Sequence, residues 1–83
     1  MPIAGVVISV KPEETGVARR QISAMAGVEL HGEDAQGHLV AVLEAKSLAA
    51  MEKLVDSLNA MPPVLNVGLT YINNEDEMAD ETA

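Results

Sequence analysis

The sequence predicts an α+β domain, a four-stranded antiparallel sheet with two helices on one face. Three observations carry this. The 83 residues, 48% of them apolar, suffice for one domain and not for two. The body alternates between β-branched runs and stretches of helical period. And those signals fall in the order β-α-β-β-α-β, the ferredoxin-like pattern of two β-α-β halves, in which the first and third strands are central.

The elements follow in order. Residues 3–10 (IAGVVISV) are β-branched and read as the first strand. Pro12 suits the first position of a helix, and Glu13 and Glu14 place negative charge at its positive end. Thr15, Ala18, Ile22 and Met25 recur at spacings that share one helical face, and Gly27 offers a stop. Val28, Leu30 and Gly32 alternate with Glu29, His31 and Glu33 as a half-buried strand would. Asp34-Ala35-Gln36-Gly37 predicts a hairpin turn, with Gly37 free to take positive φ. Residues 38–45 (HLVAVLEA) form a nearly continuous apolar run, the third strand. Ser47 is placed to cap a second helix, on which Leu48, Met51, Leu54, Val55, Leu58 and Met61 align, and Pro62-Pro63 end it. Residues 64–72 (VLNVGLTYI) supply the fourth strand. The predicted domain is 1–73, followed by an acidic, disordered tail over 74–83.

Strand alternation divides the side chains between two faces. Val6, Ile8, Val10, Val28, Leu30, Leu39, Ala41, Leu43, Val67, Leu69 and Tyr71 are expected under the helices. Gly5, Val7, Ser9, Glu29, His31, His38, Val40, Val42, Glu44, Asn66, Gly68 and Thr70 are expected on the open face. There, Val7, Val40 and Val42 make an apolar strip on the central strands, with small residues around it and acceptors at its edges. Such a strip, rimmed by polar groups, is the mark of an interaction site, against the alternatives of ordinary surface or a homodimer contact.

Composition excludes several chemistries. Without cysteine there is no disulfide, no thiol nucleophile and no Cys-ligated metal. Thirteen acids against five bases, a net charge of -8, oppose binding to a nucleic-acid backbone. Glu75, Asp76, Glu77, Asp80 and Glu81 hold five of those charges, leaving the body near -3. The first apolar stretch is too short for a membrane span and lacks the charged start of a signal peptide, so a cytoplasmic protein without stable membrane association is expected. No phosphate loop, nucleophile–base pair or metal motif is present. His31 and His38 flank the hairpin but lack further ligands, and no metal or cofactor is expected. Glu13 and Glu14, adjacent on a helix, do not face each other. Arg19-Arg20 lie inside an amphipathic helix with no apolar run after them and are not an export signal. Met25, Met51 and Met61 are core fillers in a chain with one Tyr and no Phe or Trp.

Segments 5–14 (GVVISVKPEE), 25–45 (MAGVELHGEDAQGHLVAVLEA) and 62–71 (PPVLNVGLTY) together resemble the NapD family, small cytoplasmic chaperones of periplasmic nitrate reductase. The resemblance implies a ferredoxin-like fold without enzymatic activity. It further implies binding of the twin-arginine signal peptide of the nitrate reductase catalytic subunit, NapA. That binding would delay export until the molybdenum cofactor is inserted. Carried onto this chain, the peptide, lying as a helix on the open sheet, would meet Val7, Ser9, Val40, Val42, Glu44, Asn66, Gly68 and Thr70.

Two other readings compete. A small-molecule-sensing or dimerisation module would need a loop rich in donors, and none stands out over residues 11–16. An acylphosphatase-like enzyme would need an arginine in a phosphate cradle after the first strand, where this chain has Lys11-Pro12-Glu13-Glu14.

Overall fold

The computed structural model describes residues 1–74; the acidic residues 75–83 of the expected tail lie outside the described residues. The elements are β1 (Pro2–Val10), a 3-10 turn (Pro12–Glu14), α1 (Thr15–Ser23), β2 (Val28–Glu33), β3 (His38–Glu44), α2 (Leu48–Asn59) and β4 (Val64–Asn74). They form one antiparallel sheet in the order β2-β3-β1-β4, with β1 and β3 central as expected. This is the ferredoxin-like fold.

The core lies between the sheet and the helices. Val6, Ile8 and Val10 from β1, Leu39, Ala41 and Leu43 from β3, Ala18 and Ile22 from α1, and Met51 and Leu58 from α2 are buried together. Met25, Val28, Leu30, Met61 and Val67 pack against them. The predicted alternation therefore holds on the central strands, where both neighbours fix the register.

Helix boundaries shift in two places. Pro12 begins a single 3-10 turn rather than α1 itself, and the α-helix starts at Thr15, whose hydroxyl donates to the Pro12 carbonyl at 2.8 Å. Glu13 and Glu14 sit in that turn. Helix α1 ends at Ser23, earlier than the Gly27 stop expected from sequence. Gly27, at φ 84°, instead joins the short connection to β2, and its carbonyl accepts the Glu44 N–H at 2.8 Å. Met25 thus packs from that connection and not from the helix. Helix α2 behaves as expected: the Ala50 N–H donates to Ser47 Oγ at 3.0 Å, closing the first turn.

The β2–β3 hairpin turns through residues 34–37. Asp34 Oδ1 accepts the N–H groups of Gln36 and His38 at 2.9 and 3.0 Å. Gly37 stands at φ 92°, a conformation that a Cβ would strain. Its carbonyl accepts the Val10 N–H at 2.7 Å, which ties the hairpin to the end of β1.

Strand β4 departs from simple alternation. Its register against β1 slips twice, leaving Leu65 and Thr70 as extra residues. After the second slip, Tyr71 stands opposite Gly5 and Ile72 opposite Ala4. Tyr71, expected under the helices, is therefore on the open face, and Ile72 takes the helix side. Leu69 keeps its expected side, opposite Val6, but is exposed because the groove between α2 and β4 stays open there.

Candidate peptide-binding face

Residues that stand opposite one another on neighbouring strands define the open face row by row. One row runs Gly32, Val40, Val7, Gly68 across β2, β3, β1 and β4. The next runs Glu29, Val42, Gly5, Tyr71. On either side, His38, Ser9 and Asn66 form one row, and Glu44, Ile3 and Asn73 another. Residues in one row of a sheet project to the same side. All the sequence-derived candidates, Val7, Ser9, Val40, Val42, Glu44, Asn66, Gly68 and Thr70, thus share this surface or, for Thr70, sit in the bulge at its margin. Val40 is 47% exposed, whereas Val7 and Val42 are half-buried, so the valine strip is a low ridge accessible from solvent.

Sequence reasoning missed Tyr71. A Cβ at Gly5 would overlap the Tyr71 ring at Cε1, so the ring occupies the space over the glycine. The Thr70 hydroxyl donates to the Gly5 carbonyl at 2.9 Å and secures the bulge that turns Tyr71 outward. A signal was present: a glycine inside a run of β-branched residues marks close approach of another group.

Two acidic residues of the open face, Glu29 and Glu44, share one corner. Gly27, Val28, Glu29, Val42 and Glu44 line a shallow hollow of about 260 Å³. Glu29 Oε1 lies 3.2 Å from His31 Nε2, whereas Glu44 has no side-chain hydrogen bond or ion pair among the described residues. Glu44 is thus the readier acceptor for an incoming cation. The two histidines take separate partners: His38 Nδ1 lies 2.8 Å from Asp34 Oδ2, and among the described residues no third ligand gathers with either. Bonds from the His38 N–H and then the His38 ring hold the Asp34 carboxyl below its ordinary range. Arg19 lies on α1, away from this face, and pairs with Glu33 at 3.1 Å.

The family model for NapD protein matches residues 1–76. The chain belongs to the NapD family. No curated protein sequence matches it at a significant level. Among solved structures, it is similar to the solution structure of the E. coli Tat proofreading chaperone protein NapD, with TM-score 0.79 and 28% identity over 90% of this chain and 80% of that one. These relationships support a chaperone role. None of the described helices is long and apolar enough to cross a membrane.

Proposed function

We propose that the open sheet face binds the twin-arginine signal peptide of the nitrate reductase catalytic subunit, NapA, in the cytoplasm, and that binding delays export until the molybdenum cofactor is inserted. The observation that carries this reading is the juxtaposition of a partly exposed valine strip with a two-carboxylate hollow on one surface. Such a signal peptide joins a pair of arginines to an apolar stretch, and the face offers a matching pair of environments at one corner. The apolar side of a helical peptide lies along Val7, Val40 and Val42, and covering each valine contributes about 1–2 kcal/mol. The low profile of Ser9, Asn66 and Gly68 lets the peptide backbone approach. An arginine reaches Glu44, with Glu29 beside it, in a charge-assisted bond, and the exposed Tyr71 ring adds a surface on which a guanidinium stacks. Ordering a peptide that is disordered when free opposes binding, which keeps the complex reversible, as handover to the export machinery requires.

Calorimetry with a synthetic signal peptide tests the proposal. The peptide is expected to bind, and its twin-lysine form more weakly, because lysine lacks the planar fork that engages a carboxylate through two bonds. Absence of binding heat together with absence of NMR shifts on β1, β3 and β4 would refute it.

A further inference from the structure

The two edges of the sheet are built differently. Strand β2, at one edge, carries Glu29, His31 and Glu33 and is kinked by the register slip at His31. Charges on an edge strand are one way natural sheets prevent edge-to-edge pairing. Strand β4, at the other edge, runs for 11 residues (VLNVGLTYINN) without a charged residue or a proline. Its two bulges interrupt the ladder but leave Asn66–Leu69 and the stretch after Thr70 in regular register. Apolar side chains project from it unprotected: Leu65 is 60% exposed, Leu69 59% and Ile72 47%. On the helix side, Leu69 and Ile72 continue into a largely apolar groove of about 340 Å³ against α2, lined also by Leu48, Met51, Val55 and one acid, Glu52.

The geometry points to a second copy of this chain as the occupant of that edge: two β4 strands pair antiparallel about a two-fold axis, joining two sheets into one of eight strands. Antiparallel pairing is self-complementary, so a single uncharged strand supplies both halves of the contact. The body of each copy is acidic, yet β4 brings no like charges face to face, and this favours a second β4 over any charged edge as its partner. Two-fold pairing also brings Leu69 and Ile72 of the two grooves toward one seam and removes them from water. The open faces stay free on the same side of the joined sheet, with Tyr71 near the seam. The contact therefore leaves Val7, Val40, Val42 and Glu44, on β1 and β3, uncovered.

Sedimentation equilibrium of the full chain up to about 1 mM tests the inference, since a millimolar association then populates the dimer substantially. The expected result is a monomer–dimer equilibrium. Leu69→Lys and, separately, Ile72→Lys should each weaken it at least tenfold, while Val40→Asp on the open face leaves it unchanged. Circular dichroism reports whether each variant folds, and a concentration-dependent slowing of amide exchange confined to β4 in the unmodified chain gives a reading that needs no substitution. A monomer across the whole range, or a dimer disrupted by Val40→Asp and insensitive to both lysine variants, would overturn it.

Discussion

At the level of single residues, Gly5 and Tyr71 decide how the open face is finished. The glycine leaves room for the ring, and the bulge at Thr70 delivers it. Proton NMR is expected to show contacts between the Tyr71 ring and the Gly5 Hα; contacts to Val6 or Val55 instead would mean uninterrupted alternation along β4. Replacing Tyr71 by Ala should weaken peptide binding about two- to fivefold, the worth of an exposed cation–aromatic contact of about 0.5–1 kcal/mol. Asp34 makes a separate prediction. Because its folded-state pKa lies below the ordinary value of 3.8, its ionised form stabilises the hairpin above that value, and the contribution is lost as pH falls through the lowered pKa. Amide exchange at Gln36 and His38, corrected for intrinsic rates, should therefore accelerate on acidification below that range in the native chain. An Asp34→Asn variant, whose amide oxygen still accepts both N–H groups, should not show this acid step.

At the level of elements, the most local signals were the most legible. Ser47 was readable as a cap because a hydroxyl three residues before an unpaired N–H is a short-range device; Ser47→Ala should cost about 1 kcal/mol in urea unfolding with the m-value unchanged. The hairpin was readable from Gly37 for the same reason. The central strands were readable because alternation and burial agree along their whole length. Strand β4 was not, since Leu65 and Thr70 look like ordinary strand residues and only pairing with β1 shows that each is extra. The exit from α1 was misplaced because Gly27 satisfies a stop signal equally well at a helix end or in the following connection. The eight candidate residues came together because seven lie where alternation is unbroken. Tyr71, one residue beyond a bulge, fell on the wrong side for that reason alone.

At the level of the whole molecule, the fold divides its labour between faces. The helices and the inner sheet face supply the core, and the opposite face, proposed above for peptide recognition, is left open. Substituting a fully buried residue such as Leu43→Ala should cost about 2–5 kcal/mol, whereas changes on the open face should leave stability within about 0.5 kcal/mol. Net charge belongs to this scale too. Deleting residues 75–83 removes five of the eight excess negative charges and should slow association with a basic peptide at low salt while leaving dissociation unchanged. A large rise in the dissociation rate would instead place the tail in the binding site. The most direct test of the central claim is NMR shift mapping on the isotopically labelled chain as the twin-arginine signal peptide is added, repeated with Val42→Glu. The account predicts shifts concentrated at Val7, Val40, Val42, Glu44, Gly68 and Tyr71, and their loss in the variant without loss of its thermal melt. Shifts centred on the groove between α2 and β4, or binding unaffected by Val42→Glu, would contradict it.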